Sequence, residues 1–544
     1  MTLLGREEAS SGRRFSGGLG AVLATTLALW VFSLLRMPWT LLGWVALVPW
    51  LVVVDRARSS REALLLGAGL SVTFSAAVLG WFPGALQSYS GAPLWLCWLL
   101  MLLLAPVFQL QFPVTALARQ LARRAVGNRA GWLPPMVSVL VYVGVEWLAP
   151  KPFADTLGQG FVYSERLRQF ADVAGAPGLT LALLFVNECV FAMGRAFRTR
   201  GAPGALKPLV AAVALVVVML GYGSFRLAQY VVERSTQTAL VVGAVQANII
   251  NYEKLKAEHG TYEVVRMILD THYALSDSLL REAPLDVLIW PETVYPTPFG
   301  VPKSEAGAEL DAEISAYVAA RNVPLIFGSY DVEGGKEFNA AMFLSPGDKE
   351  GEAPTRKVYR KSKLFPLTEW VPELIDSPGL REWLPWTGRW SPGSGPRTVL
   401  LKRRDGRILR VAPLICYDTL FPSYVADEAT ATADLLLTLS NDSWFGGTPG
   451  PRLHLTHAVF RSIETRRPQV RVTNSGVSAL IDDTGEILTE IGDGQRGTAV
   501  MRVPWHTAGY FLARRWGNWL GPVALVMAVA LLGGAVLGGR GERY

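Results

Sequence analysis

The chain has 544 residues, half of them hydrophobic and only 18% charged, whereas an average soluble domain is about 25% charged. That composition excludes one simple soluble domain and points to two or three modules with part of the chain in a bilayer. The net charge of +7 is scattered in short clusters between apolar stretches; with no recognised nucleic-acid-binding motif beside it, nucleic acid is excluded as a partner.

About 20 apolar residues are needed to cross about 30 Å of hydrocarbon. Eight runs are predicted to do so: residues 17–35, 37–54, 63–81, 92–117, 131–149, 179–193, 208–225 and 519–539. The loops between them alternate in charge. Arg6, Arg13 and Arg14 precede the first run; Arg56, Arg58 and Arg61 follow the second; Arg119, Arg123, Arg124 and Arg129 follow the fourth; Arg195, Arg198, Arg200 and Lys207 follow the sixth. Residues 87–91 carry no basic side chain, and the loop after the fifth run has only Lys151, Arg166 and Arg168. Lysine and arginine favour the cytoplasmic side. The N-terminus and residues 540–544 are therefore expected inside and everything between the seventh and eighth spans outside, with Arg514 and Arg515 alone running against the rule. A cleaved signal peptide is the other reading of the first run, but no A-x-A site follows it and a second span begins almost at once.

From Gln237 to about Pro504 the character becomes that of an α/β domain. Short apolar runs at 238–245, 286–290, 323–328, 408–415 and 434–440 read as buried strands, and 262–281 and 303–321 have helical spacing. The expected division is a seven-helix membrane domain over 1–236, a catalytic domain over 237–510 and a C-terminal transmembrane helix over 511–544.

Three reactive residues follow apolar strand-like runs or lie in loops between them, where open α/β sheets carry their active sites. Glu292 follows Asp286–Trp290, Cys416 follows Ile408–Ile415, and Lys361 lies in Tyr359-Arg360-Lys361-Ser362-Lys363-Leu364-Phe365-Pro366, a segment that also carries Glu369. Of the three cysteines, Cys97 and Cys189 lie in apolar runs, where a cysteine behaves as a small hydrophobe. No two have metal-ligand spacing, and Cys416 has no local disulfide partner. Singly, each candidate has a bland explanation: a glutamate capping a strand end, a packed thiol, a lysine on a solvated face.

Together, in this order, they resemble the catalytic glutamate, lysine and cysteine of the nitrilase superfamily. With seven spans before the domain and one after, the chain resembles the apolipoprotein N-acyltransferase family over nearly its whole length. Val245-Gln246-Ala247-Asn248, Trp290-Pro291-Glu292, Lys361 to Glu369 followed by Trp370-Val371-Pro372, and Asn441-Asp442-Ser443-Trp444-Phe445-Gly446 are similar to that family's motifs, as are Arg461 with Glu464 and Arg467-Pro468, and Arg471 with Asn474-Ser475-Gly476. The chain departs from the usual pattern at Leu367-Thr368, where the family has Phe-Gly, at Asp418, often glutamate, and at Leu255, where a tryptophan is common.

The resemblance implies a membrane α-helical bundle of eight transmembrane helices plus an extracytoplasmic nitrilase-like αββα sandwich, in the bacterial inner (cytoplasmic) membrane. It implies a phospholipid acyl donor such as phosphatidylethanolamine, a diacylglyceryl-cysteine apolipoprotein as acceptor, a monomer, and no cofactor or metal. Cys416 would form a thioester, Glu292 would move the protons and Lys361 would face the oxyanion. Glu369 would support the lysine and the incoming amine, and Tyr417 and Asp418 would shape the floor beside the nucleophile. The stretch Trp383-Leu384-Pro385-Trp386-Thr387-Gly388-Arg389-Trp390 reads either as a loop dipping toward headgroups, where indoles are favoured, or as a turn packed on its own domain.

Three rivals stand beside this. A membrane-tethered nitrilase-type amidase would use the same triad on a small amide or nitrile. A cysteine–histidine hydrolase would use His454 or His457, but nothing in the sequence ties either to Cys416 and it leaves Glu292 and Lys361 without a role. A transporter would use Glu146, Asn187 and Glu188, in or near the spans.

Overall fold

The computed structural model describes residues 3–127, 129–234, 239–250, 252–347, 349, 351–403, 405–429, 433–504 and 517–541. Gln237 and residues 505–516, where the sequence sets the edges of the soluble domain and carries Arg514 and Arg515, lie outside them. The chain forms two compact units: Met1–Gln87, Ala92–Arg226 and Asn518–Tyr544 in one, Ser88–Gly91 and Leu227–Gly517 in the other.

The first unit is helical. In chain order come α1 (Leu3–Phe32), a 3-10 turn (Trp39–Trp44), α2 (Val48–Asp55), α3 (Ser60–Val78), α4 (Phe82–Ser90), α5 (Leu94–Phe108), α6 (Gln111–Val126), α7 (Leu133–Leu148) and α8 (Ala171–Arg234), with a C-terminal helix at Leu520–Gly541. Among the described residues, four segments are long and apolar enough to span a bilayer: Ser60–Val78, Leu94–Val126, Leu167–Tyr230 and Leu520–Leu537; Gly17–Phe32, Trp39–Asp55 and Leu133–Leu148 are shorter apolar helical stretches. Leu103, Val217, Val218, Val526 and Leu537 are all exposed, the inverse of a water-soluble surface helix.

Two spans differ from the uninterrupted runs of the sequence. The second is a 3-10 turn followed by the short α2, and Asn187 makes that irregularity possible. Its Oδ1 accepts from the Leu47 N–H at 2.9 Å while its Nδ2 donates to the Gly43 carbonyl at 2.8 Å, satisfying backbone groups that hydrocarbon would leave orphaned. The fourth breaks between α5 and α6. The sixth and seventh are arms of α8, broken at Gly201, whose φ of +67° is natural only without a Cβ. Glu188 is buried against Arg119, which also lies 3.3 Å from Asp55, and Glu146 binds Lys151 at 3.2 Å. The polar residues on which a transport path would rest are thus engaged in holding the helices together.

The second unit is a two-sheet sandwich. Strands β1 (Ala239–Gln246), β2 (Val287–Ile289), β3 (Tyr295–Pro298), β4 (Leu325–Glu333), β5 (Lys336–Ser345), β6 (Thr355–Arg360) and β13 (Gly497–Pro504) form one sheet in the order β13-β1-β2-β4-β5-β6, with β3 also on β4. The other has the order β12-β11-β10-β9-β8-β7, from β7 (Val399–Lys402), β8 (Ile408–Ile415), β9 (Leu435–Ser440), β10 (Gln469–Thr473), β11 (Ser478–Ile481) and β12 (Ile487–Ile491). β1, β2 and β4 run parallel, as do β8, β9 and β10.

The period of two along each strand builds the layers. Val287 and Ile289 of β2 and Leu409, Val411 and Ile415 of β8 meet in one core between the sheets. Their alternates point outward: Leu288 against α10 (Thr261–Glu282) and α11 (Glu305–Arg321), and Ala412 and Leu414 against α13 (Pro422–Glu428). With α9 (Tyr252–His259), α12 (Pro378–Trp383) and α14 (Gly450–Thr465), the result is a nitrilase-like αββα domain.

Candidate active site

The ends of β2, β6 and β8 bring Glu292, Lys361 and Cys416 into one site. Glu292 lies three residues past β2, held close to β4 because position 328 is glycine. A Cβ there would fall 2.5 Å from the Glu292 Cα and 2.3 Å from the Thr293 nitrogen. Lys361 directly follows β6; its N–H donates to the Asn339 carbonyl at 2.8 Å and its carbonyl accepts from Gly393 at 2.8 Å. Cys416 directly follows β8 with φ +46°, a left-handed conformation that disfavours side chains. Two more non-glycine residues with positive φ border the site, Thr293 (+58°) after Glu292 and Leu367 (+65°) between Lys361 and Glu369. Such strain persists only where the surroundings over-determine it.

Polar contacts connect the set. Lys361 is 2% exposed and Glu292 6%; the lysine Nζ donates to Glu369 Oε1 at 2.7 Å and lies 3.4 Å from Glu292 Oε1. The Asn339 amide donates to Glu292 Oε1 at 2.8 Å and reaches Glu369 Oε1 at 3.4 Å. Glu369 also receives the Phe365 N–H at 2.7 Å.

Burial raises the Glu292 carboxyl above the usual range, against the pull of Lys361. Burial would lower Lys361, but Glu292 and Glu369 hold it well above the ordinary lysine value, so it stays charged. Burial pushes the Cys416 thiol up, Glu292 pushes it further and Lys361 pulls it back. The three groups therefore sense one another electrostatically: a buried thiol and a buried carboxyl, both raised, beside a lysine that stays charged.

Asp418 is fully buried behind Cys416. Its Oδ2 accepts from the Ile415 N–H (3.0 Å) and the Tyr359 hydroxyl (2.9 Å), and its Oδ1 from the Lys363 (2.7 Å) and Ser362 (3.2 Å) N–H groups. It therefore ties the end of β8 to the lysine segment. Tyr417 packs edge-on against Phe365 and Phe421, with ring centroids 4.8 and 5.1 Å away, and Phe365 continues to Trp444 at 5.7 Å.

Sequence reasoning missed several participants. Asn339 sits on a hairpin strand with nothing in its neighbourhood to mark it. Tyr89, at the end of α4, is grouped with Ser88–Gly91 in the second unit and packs on Trp386 and Trp444 at 6.0 and 6.2 Å. Nothing in the sequence ties His454 to Cys416, yet its Nε2 faces the Cys416 carbonyl at 3.3 Å. Cys416, Asp442 and His454 offer ligand atoms within 4.8 Å of one another, but the Arg471 guanidinium, 2.7 Å from Asp442, already supplies a cation there. In the tryptophan stretch, Trp390 packs on Tyr330 at 4.5 Å, whereas Trp383 is 66% and nearby Leu374 97% exposed.

Residues 241–510 match the carbon–nitrogen hydrolase family and residues 27–189 the apolipoprotein N-acyltransferase N-terminal domain. The chain is 31% identical to the apolipoprotein N-acyltransferase of Pseudomonas syringae pv. tomato, over 89% of this chain and 90% of that protein. It is 30% identical to that of Azotobacter vinelandii over 97% and 95%, and 27% identical to that of Bdellovibrio bacteriovorus over 91% and 90%. With both halves matched and relatives aligned over nearly their full length, the chain belongs to the apolipoprotein N-acyltransferase family.

Proposed function

We propose that this protein N-acylates the N-terminal diacylglyceryl-cysteine of apolipoproteins with an acyl chain taken from a phospholipid, using Glu292, Lys361 and Cys416 as its catalytic triad. The observation that carries this is a buried Glu292–Lys361 pair in electrostatic reach of a thiol displayed on a strained turn.

In the first half-reaction the Cys416 sulfur attacks the ester carbonyl carbon of the phospholipid as Glu292 takes the thiol proton. The tetrahedral oxyanion is met by the Lys361 ammonium, and one such donor lowers the barrier by about 3–4 kcal/mol. Collapse breaks the C–O bond, Glu292 returns the proton to the glycerol oxygen, and the lysophospholipid leaves a thioester on Cys416. In the second half the acceptor amine attacks the thioester carbon. Glu292 takes a proton from the amine and restores it to the sulfur as the amide forms. Glu369 holds Lys361, and its carboxylate is placed to orient the amine.

A long-chain donor and acceptor explain the architecture, because drawing an acyl chain into water costs about 0.8 kcal/mol per CH₂. We infer eight crossings, with both termini cytoplasmic, a membrane domain over 1–236, a periplasmic catalytic domain over 237–510 and the last span within 511–544. Exposed Leu374, Ile375 and Trp383 suit contact with a lipid surface.

The test is to incubate the purified, detergent-solubilised protein with phospholipid carrying a labelled acyl chain, without acceptor. Hydroxylamine-sensitive label is expected on wild type and absent from Cys416→Ala. No label on wild type, despite donor binding and a reactive Cys416, would favour a small-amide hydrolase instead.

A further inference from the structure

His454 stands beside the nucleophile, yet the reaction above assigns it no part. It lies on α14, 8% exposed, and meets fully buried Asp442 past the end of β9 and Arg471 on β10. The Cys416 carbonyl can only accept, so the His454 Nε2 that faces it at 3.3 Å carries a hydrogen. The other ring nitrogen, Nδ1, lies 3.1 Å from both Asp442 Oδ1 and Arg471 Nη2.

Asp442 has charged and neutral donors of its own, Arg471 at 2.7 Å and the Ser440 hydroxyl at 2.8 Å, so it does not need an imidazolium. Burial, and then the Arg471 charge, lower the affinity of His454 for a second proton. The neutral ring is left with one arrangement: Nδ1 accepts from Arg471 and Nε2–H donates to Cys416. Neither nitrogen is free to take the proton of the thiol.

We propose that His454 is a positioning residue, whose Nε2–H clamps the Cys416 carbonyl and holds the nucleophile in its left-handed turn while Arg471 fixes the tautomer. This rests on the reading of Cys416 as the nucleophile. Released from the clamp, residue 416 would relax toward ordinary backbone angles, and the sulfur would leave its place opposite Glu292 and Lys361.

The test compares His454→Gln, which keeps an N–H donor, with His454→Leu, which keeps bulk and removes it, in the full-length detergent-solubilised enzyme. Acyl-enzyme formation from phosphatidylethanolamine with a labelled acyl chain is timed for each. The pH dependence of Cys416 alkylation by iodoacetamide is followed in parallel, Cys97 and Cys189 being buried. His454→Leu is expected to slow acylation by about tenfold or more, and His454→Gln to stay within about threefold of wild type, as loss or retention of one hydrogen bond would give. The alkylation midpoint is expected not to move in His454→Gln.

A glutamine variant as slow as the leucine one, both melting like wild type, overturns the proposal. So does a midpoint displaced by about one pH unit, the mark of a charged or proton-accepting partner. Should His454→Leu fail to fold, His454→Gln decides alone: near-wild-type rate with an unmoved midpoint supports the clamp, and a slow rate or moved midpoint overturns it. Label on Cys416→Ala would overturn the nucleophile assignment and the clamp with it. Its absence there, with the glutamine and leucine variants equally slow, overturns the clamp alone.

Discussion

Asn339 donates one amide group to the two carboxylates that flank Lys361, and this gives it leverage over the acid–base balance of the site. An Asn339→Asp substitution would set a third carboxylate against Glu292 and Glu369. Like charges in one site oppose ionisation, so Glu292, already raised by burial, should rise further. Because the base works only when deprotonated, the acidic limb of the acylation pH–rate profile should move to higher pH by about one unit. A limb that stays in place would mean that another group controls it. Glu292, Lys361 and Cys416 could be found in the sequence because their flanking motifs are similar to the family's and two of them follow apolar strand runs. Asn339, 47 residues from Glu292, and His454, 38 from Cys416, become visible only once the sheets have brought distant segments together.

Two carboxylates govern how neighbouring elements meet. Asp418 joins the end of β8 to the segment after β6 through both its oxygens, each facing at least one backbone N–H. In Asp418→Asn the amide NH₂ must oppose one of those donors. A loss of about 1–3 kcal/mol is expected, seen as a lower melting temperature and slower acylation in the same variant; a normal melt with slow acylation would confine the effect to the site. Glu428 on α13 is fully buried, with Oε2 accepting from the Arg397 N–H at 2.7 Å and Oε1 without a hydrogen-bond partner among the described residues. Burial pushes its carboxyl up to about 9. Between the ordinary glutamate value of about 4.3 and that figure, the folded chain keeps a proton that the unfolded chain releases. Stability from this group is therefore full at acid pH and falls as pH rises through the window. Glu428→Gln removes that slope: its melting temperature should exceed wild type at pH 8 and match it near pH 4, and parallel curves would refute the assignment. The elements themselves were unevenly legible. The amphipathic helix expected at 262–281 is Thr261–Glu282, because one polar and one apolar face leave a clear period. β5 and β6 gave no such signal, and the breaks within the second and fourth spans were hidden because apolar composition reports the medium around a segment, not the continuity of its backbone.

At the scale of the molecule the argument is about sides. The basic clusters alternate along the sequence, and a chain that crosses after each of them places Leu227–Gly517 opposite the N-terminus. The proposed acylation, acting on an exported N-terminus, would require that side to be periplasmic. Leu374 tests it directly, being 97% exposed and remote from both chain ends. In a Cys416→Ala background, Leu374→Cys would be the one accessible thiol among the described residues, since Cys97 and Cys189 are buried. A membrane-impermeant maleimide should label it in intact spheroplasts as completely as after lysis. Labelling that appears only after lysis would put the domain in the cytoplasm. The thioester chemistry would then have to be reconciled with a substrate on the other face of the membrane, and with the N-terminus still cytoplasmic the number of crossings before residue 227 would have to be even. A cysteine at Gly127, the residue after α6, whose last turn carries Arg123 and Arg124, should behave in the opposite way, protected in spheroplasts and labelled on lysis. The two positions together distinguish an inverted topology from a reagent that simply fails to reach the site.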